Sequence, residues 1–207
     1  MPQRDLSHIV VAGLCGSLSA GGSTQRVLEV ALSGAQEAGA QTAFLDLRDY
    51  QLPFAGQVKD PKTFPDVVRL SDELRAAHAI IWATPEYHGS YSGVLKNALD
   101  LMGFDEFEGK MIGLIGIAGG ALGAIHSLDH LRSVGRQLHA WVLPQQVSIA
   151  RAWDAFNADG TLKDKELETR LKSIGHEITR FALLHSTTAQ DFLERWEKAA
   201  ENPGGDQ

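Results

Sequence analysis

The chain contains a single cysteine, Cys15, among its 207 residues. One thiol cannot form an intramolecular disulfide, and it cannot supply a cysteine-rich metal site. Long apolar runs are also absent: none approaches the roughly 18 residues that cross a bilayer. Residues 1–7 are polar and lack the apolar segment of a signal peptide. We therefore expect a cytoplasmic protein with no membrane span.

Positive charge is scarce, with 19 Lys and Arg against 26 Asp and Glu and a formal net charge of -7. Nucleic-acid binding needs a basic surface, so nucleic acid is not expected as a partner. A small anion held by backbone amides remains compatible with this charge. The composition, 43% hydrophobic and 22% charged, is that of a globular chain. We predict one domain over residues 1–190 and a tail over 191–207 whose end is disordered.

Apolar runs alternate five times with helical patterns, which predicts an α/β doubly wound parallel sheet. Thr84-Pro85 is expected to end the third strand, and Pro144 the fifth, because proline has no N–H for a sheet ladder. Residues 104–109 are expected to form an acidic loop. The strands are predicted at 9–14, 42–47, 79–83, 111–117 and 140–143, and the helices at about 24–38, 64–77, 94–102, 124–138 and 163–184.

Small and polar residues follow the first strand, in the stretch from Gly16 to Thr24. Free N–H groups and hydroxyls at a helix N-terminus suit an anion, which the helix dipole also favours. The stretch matches neither the P-loop nor the dinucleotide fingerprint. The alternative is a flexible turn in which Ser23 or Thr24 caps the helix.

Two further loops of this kind follow the third and fourth strands. The first contains Glu86, Tyr87, His88 and Gly89, and the second contains Gly119-Gly120. In a sheet ordered 2-1-3-4-5, strands one, three and four are neighbours, and open α/β sheets bind ligands beyond the carboxyl ends of their strands. Three loops then converge on one rim, which favours a binding site over three ordinary turns.

The sequence resembles the NADPH-dependent FMN reductases, a flavodoxin-like group that includes quinone, azo-dye and chromate reductases. The resemblance covers about residues 8–185. It rests on Gly16-Ser17-Leu18 with the following loop, on the runs from Thr84 to Ser90 and from Gly93 to Asp100, and on Gly119-Gly120. It implies a three-layer α/β/α, flavodoxin-like fold with the five-stranded order 2-1-3-4-5.

The resemblance also implies the cofactor site. The first loop would hold the FMN phosphate, and the other two would contact the flavin ring. Many relatives carry arginine where this chain has Ser19, and asparagine is common where it has His88; Arg26 is a candidate helper for the phosphate. The implied cofactor-binding residues are Ser17, Ser19, Ser23, Thr24, Pro85, Glu86, Tyr87, His88, Gly89, Gly119 and Gly120.

No side chain is expected to be an essential catalyst, because the chemistry belongs to flavin N5. Glu86 is a weaker candidate for acid–base work than for a solvated group or an amide partner. His126, His130 and His139 lack the spacing of a metal site, so no metal is expected. Trp82 is assigned to the core, and Lys96 and Asn97 to structural or interface roles. Nothing marks Cys15 as a nucleophile.

The sequence thus predicts an enzyme, an FMN-dependent NAD(P)H oxidoreductase. It would pass a hydride from NADPH, or NADH, through flavin N5 to a quinone-type or other small acceptor. The family is usually oligomeric, which implies a homodimer or homotetramer. A flavodoxin-type electron carrier without NADPH activity is the alternative, and a non-flavin interaction protein a more distant one.

Overall fold

A computed structural model describes residues 6–201 of the chain, with side chains described from 6 to 185. Strands and helices alternate along almost all of this length. No helix within residues 6–201 is both long enough and apolar enough to cross a membrane. The strands are β1 (Val10–Cys15), β2 (Gln41–Asp46), β3 (Ala79–Tyr87), β4 (Ser90–Tyr91), β5 (Met111–Ile117) and β6 (Trp141–Ile149). The helices are α1 (Ser23–Glu37), α2 (Pro65–Ala76), α3 (Gly93–Asp100), α4 (Phe104–Phe107), α5 (Ile125–Gln137) and α6 (Lys165–Glu201).

Five of these strands form a parallel sheet in the order β2-β1-β3-β5-β6. In order of appearance these are the first to fifth predicted strands, so the predicted order 2-1-3-4-5 is confirmed. The short strand β4 pairs with β3, antiparallel, and was not predicted. The chain crosses from one side of β1 to the other between β2 and β3, which opens a crevice at the carboxyl ends of β1 and β3.

Both faces of the sheet are covered by helices. Val11 and Ile81 point into a core shared with α1 and α6, while Leu14 and Trp82 point into a core shared with α2, α3 and α5. Residues of both faces are therefore apolar, which explains the uninterrupted apolar runs of the central strands. Trp82 is fully buried and meets Phe107 edge to face, with ring centroids 5.6 Å apart, so its predicted core position is confirmed.

The prediction that Thr84-Pro85 ends the third strand is wrong, since β3 continues to Tyr87. Beside β1 the pairing of β3 stops at Ala83, whose carbonyl oxygen accepts from the Gly16 amide at 2.8 Å. Backbone groups alternate in direction along a strand, so the nitrogen of Pro85 faces the side that β1 has already left. On its other side β3 still pairs with β5, with Pro85 opposite Ile117. The missing N–H therefore breaks no ladder bond.

The predicted end of the fifth strand at Pro144 is also wrong, because β6 runs on to Ile149. The register jumps from Ile112 opposite Val142 to Leu114 opposite Gln146. Pro144 thus lies in a bulge of an edge strand, where proline is tolerated.

Two helices also differ from the prediction. Residues 104–107 of the expected acidic loop form the short helix α4, at whose start the Glu106 carboxylate accepts from the Gly103 amide at 2.7 Å. The last helix extends beyond the predicted 184 to Glu201, through most of the predicted tail. The expected disorder concerns residues 202–207, which lie outside the described residues.

Candidate active site

The loop after β1 is held tightly against β3 and α3. Besides the bond from the Gly16 amide to Ala83, the Gly16 carbonyl accepts from the Ser92 hydroxyl at 2.5 Å. A Cβ atom at Gly16 would lie 2.9 Å from the Ala83 carbonyl oxygen and 2.8 Å from Leu95 Cβ. Only glycine fits this approach, so the start of the loop has a fixed position on the sheet.

Helix α1 begins without a side-chain cap. Gly22 is its N-cap, so the alternative in which Ser23 or Thr24 caps the helix is wrong, and both residues instead lie in the first turn. Within the described residues, the amides of Ser23, Thr24 and Gln25 have no hydrogen-bond partner. No acidic residue occupies this turn. Free amides at the positive end of a 15-residue helix provide the donors that an anion needs.

Hydroxyl side chains occur in the loop before these free amides and in the first turn of α1. Ser17 is buried, and its oxygen accepts from the Ser19 amide at 3.2 Å, which shapes the turn. Thr24 is buried as well, whereas Ser19 is exposed. The Arg26 guanidinium lies over the Phe156 ring, 5.4 Å from the centroid, and not against these amides. The expectation that arginine helps here therefore finds no support in its contacts.

Of the predicted Glu86–Gly89 loop, Glu86 and Tyr87 form the end of β3 and pair with β4, and only the next two residues turn the chain. His88 and Gly89 form the two-residue turn of this hairpin, with φ of 53° and 76°. Two positive φ angles are typical of a type I′ turn, in which asparagine followed by glycine is favoured. Tyr87 is 56% exposed, so it does not pack in the core of this chain. The turn therefore presents an aromatic ring and an imidazole at the rim.

Glu86 bonds a backbone amide, one of the roles considered from the sequence. Its Oε2 accepts from the Ser127 amide at 3.0 Å, and its Oε1 lies 3.7 Å from Nδ1 of His126. The carboxylate thus caps the start of α5, where negative charge is stabilised by the helix dipole. Ser90 Oγ and His130 Nδ1 add a second link at 3.0 Å. The hairpin is fixed to α5 at both of its strands.

The loop after β5 borders open space. A Cβ atom at Gly119 or Gly120 would meet no heavy atom of the described chain within 4 Å. The far side of the loop is anchored, because the Gly120 carbonyl accepts from the Arg151 amide at 3.1 Å and Ser148 Oγ accepts from the Ala124 amide at 2.8 Å. Two glycines therefore offer bare backbone to the rim.

The remaining candidates lie apart from this rim or have other partners. Lys96 pairs with Asp100, and the Asn97 side chain bonds the loop at Pro53 and Ala55. Burial raises the pKa of the Cys15 thiol to about 11, so it is a poor nucleophile at neutral pH. Among the residues described, no three His, Cys, Asp or Glu side chains are grouped to hold a metal ion.

Sequence reasoning missed the residues that join the loops. Ser92 donates to Gly16, accepts from the Leu95 amide at 3.1 Å as N-cap of α3, and its own amide donates to Thr84 Oγ1 at 3.0 Å. A serine directly before a helical pattern is an N-cap signal, and the sequence contains this signal at Ser92. The long-range bond to Gly16 had no signal in the sequence.

The strand order, with an open rim at the crossover between β1 and β3, defines a flavodoxin-like α/β protein. A family model for NADPH-dependent FMN reductase matches residues 9–154. The chain belongs to this family, and it is an oxidoreductase that uses FMN and NADPH. The predicted family, enzyme class and cofactors are thereby confirmed.

Individual relatives agree with this. The chain is 37% identical over 134 residues to an FMN-dependent NADPH-azoreductase of Staphylococcus aureus, an alignment covering 63% of this chain and 71% of the relative. A flavoenzyme NAD(P)H:(acceptor) oxidoreductase from Paracoccus denitrificans has a similar structure, with a TM-score of 0.69, 23% identity, and coverage of 86% and 98% of the two chains. A Megasphaera elsdenii flavodoxin has a TM-score of 0.56 at 16% identity, covering 83% and 99%. The two structural likenesses show the fold alone.

Proposed function

We propose that this FMN-dependent NADPH oxidoreductase reduces a quinone-type or other small electron acceptor at the rim formed by the loops after β1, β3 and β5. The observation that carries the proposal is the uncapped start of α1 beside these loops, with free amides at Ser23, Thr24 and Gln25. Hydrogen bonds through Ser92 and Glu86 join the loops into one surface.

The residues at the rim fit FMN in chemical character. The phosphate would be bound by the amides and hydroxyls at the start of α1, where no carboxylate in the first turn opposes it. The phosphate-binding residues are then Ser17, Ser19, Ser23 and Thr24. The flavin ring would lie against Pro85, Glu86, Tyr87, His88, Gly89, Gly119 and Gly120. Glycines without neighbours within 4 Å, as at Gly89, Gly119 and Gly120, leave room for a flat ring.

Bound FMN would supply the redox chemistry, taking a hydride from NADPH at N5 and returning electrons to the acceptor. The protein would hold the flavin and the substrates in position. Glu86 holds the hairpin on α5 and, being engaged with the Ser127 amide, is a structural residue in this proposal. Tyr87, which is largely exposed, forms a side wall against which an aromatic acceptor can stack. No side chain is required to give or take a proton.

The printed name of the Staphylococcus aureus relative adds azo compounds as a second class of acceptor. At an open rim, the flavin would be accessible to a second copy of this chain as well as to solvent. We propose that the chain acts as a homodimer or homotetramer, with residues 1–190 as one folded unit.

The deciding experiment is anaerobic mixing of the FMN-loaded protein with NADPH alone. We expect the flavin absorbance to bleach before an acceptor is added, and a quinone to restore it. Since one flavin face would serve both substrates in turn, steady-state kinetics should be ping-pong, with parallel double-reciprocal lines. A flavin that stays oxidised under excess NADPH and excess NADH would refute the reductase proposal. An electron carrier would then be the better account of the FMN site.

A further inference from the structure

A cavity of about 290 Å³ lies at the carboxyl end of β6, outside the set of loops described above. Its walls come from the end of that strand, from the segment that follows it, and from the first turns of α6. Half of the residues that line it are charged, namely Arg151, Asp154, Lys163, Asp164 and Arg170. Three are cations and two are anions, in a chain whose net charge is -7.

Both carboxylates of the cavity already have partners. Asp154 is in an ion pair with Lys163. Asp164 caps α6, its Oδ1 accepting from the amides of Glu166 at 2.8 Å and Leu167 at 3.2 Å. Within the part of the chain that the structure describes, the guanidinium groups of Arg151 and Arg170 have no carboxylate partner and no hydrogen bond. Both arginines are exposed to solvent, and no carboxylate of the described residues neutralises their charge.

Backbone hydrogen bonds join the segment at the edge of the cavity to the loop after β5. The Arg151 amide donates to the Gly120 carbonyl at 3.1 Å, and the Ala152 amide donates to the Ala118 carbonyl at 3.0 Å. Arg151 has φ of 48°, a left-handed conformation that is unfavourable for a residue with a side chain. These two bonds hold it there. A molecule bound over Gly119 and Gly120 would therefore lie next to Arg151, at the edge of the cavity.

We propose that this cavity binds a phosphate group of the pyridine nucleotide, through Arg151 and Arg170; this rests on the proposed function, because it places the nicotinamide at the rim. Guanidinium groups bind phosphate through paired hydrogen bonds, and they keep their charge at any physiological pH. The start of α1 is assigned to the FMN phosphate, so a second anion needs donors of its own. Arg151, whose amide bonds Gly120, and Arg170, which lines the same cavity, provide them.

Two phosphate groups of the nucleotide have this chemistry. One is the 2′-phosphate, present in NADPH and absent from NADH, and the other is the pyrophosphate common to both. Comparing the effect of a substitution on NADPH with its effect on NADH shows which of the two phosphate groups is bound. An effect confined to NADPH identifies the 2′-phosphate, and an equal effect on both identifies the pyrophosphate.

The test uses the FMN-loaded protein and two substitutions, Arg170→Met and Arg151→Asn. Asparagine is chosen at 151 because it tolerates the left-handed backbone. Arg180→Met is the matched control, since Arg180 is an exposed arginine on the same helix that pairs with Glu177. We expect KM for NADPH to rise about tenfold in each cavity variant, the order of effect of a lost charged hydrogen bond. The control should remain within about twofold of the parent, as is usual for exposed pairs.

A second readout does not depend on turnover. Calorimetric titration with adenosine 2′,5′-bisphosphate and with 5′-AMP measures binding directly. Weaker binding of either nucleotide in the cavity variants, but not in Arg180→Met, supports the proposal. If KM and both titrations are unchanged in a variant that carries both cavity substitutions, the proposal is wrong. If the parent oxidises neither NADPH nor NADH, the proposed function fails separately, and the titrations still decide whether the cavity binds phosphate.

Discussion

The hydroxyl of Ser92 donates a 2.5 Å hydrogen bond to the carbonyl oxygen of Gly16, 76 residues earlier in the chain. The Ser92 hydroxyl oxygen also accepts from the Leu95 amide, so one buried side chain caps α3 and fixes the loop after β1. Through this contact, the loop proposed for the FMN phosphate and the hairpin proposed for the flavin ring are held at a constant separation.

Ser92→Ala should therefore weaken both the fold and cofactor binding. We expect a loss of about 1–2 kcal/mol in the free energy of unfolding, because a cap is lost and the buried Gly16 carbonyl loses its partner. Urea denaturation measures this, and fluorescence titration should show weaker FMN binding. Ser33→Ala is the control, since its hydroxyl only bonds Val30 within α1. Equal FMN affinity in Ser92→Ala and the parent would show that the two loops are positioned independently.

Ser23→Asp separates cofactor binding from stability. An acidic residue in the first turn of α1, which has none, should stabilise the helix by about 0.3–1 kcal/mol through its dipole. The same charge should repel the FMN phosphate, so we expect FMN binding to be lost while the melting temperature of the apoprotein stays equal or rises. Ser23→Asn has the same shape without the charge and should keep FMN. If Ser23→Asp binds FMN as tightly as Ser23→Asn, the phosphate lies elsewhere.

Glu86→Gln tests whether the carboxylate is structural or catalytic. Glutamine can still accept from the Ser127 amide through its carbonyl oxygen, but it cannot transfer a proton as the carboxylate does. We expect kcat with NADPH and a quinone to stay within about threefold of the parent. Glu86→Ala, which removes the cap, should cost about 1 kcal/mol of stability. A fall in kcat of about a hundredfold in a fully flavin-loaded Glu86→Gln would instead indicate general acid–base catalysis.

Cys15 should make the fold less stable at alkaline pH. Burial raises the thiol pKa to about 11 from its ordinary value of 9.0. Between these values the unfolded chain releases the proton and the folded chain keeps it, so stability falls with rising pH, by at most about 1.4 kcal/mol per pH unit. Lys110 acts in the opposite sense, because burial lowers its pKa to about 8, so the comparison must be made by difference.

The difference in unfolding free energy between the parent and Cys15→Ala removes the Lys110 contribution. We expect the advantage of the parent to shrink from pH 9 to pH 11. A constant difference across this interval would show that the thiol ionises alike in both states. Consistent with its burial, Cys15 should also react slowly with iodoacetamide at pH 8 until the protein unfolds.

The limits of sequence reasoning are clearest at the two prolines. Each was expected to end a strand, and each lies inside one. Whether a missing N–H breaks a ladder depends on which neighbour the nitrogen faces, and that is known only once the sheet is assembled. At Pro85 the neighbouring strand has ended, and at Pro144 the edge strand bulges. Helix α4 was missed for a different reason: it is one turn long, too short for a hydrophobic period to be visible.

By itself the sequence determined the alternation of strands and helices, the bounds of β5, and the three stretches rich in polar residues and glycine at the carboxyl ends of β1, β3 and β5. These are local properties, set by apolar runs, by periodicity and by glycine, so they can be predicted from the order of the residues alone. The tertiary structure decided how these stretches are used. It left α1 without a side-chain cap, turned Glu86 onto α5, tied Ser92 to Gly16, and brought Arg151 and Arg170 to one cavity. Those outcomes depend on contacts between residues far apart in the chain, where hydrogen-bond geometry and burial, and not local preference, determine each side chain's partner.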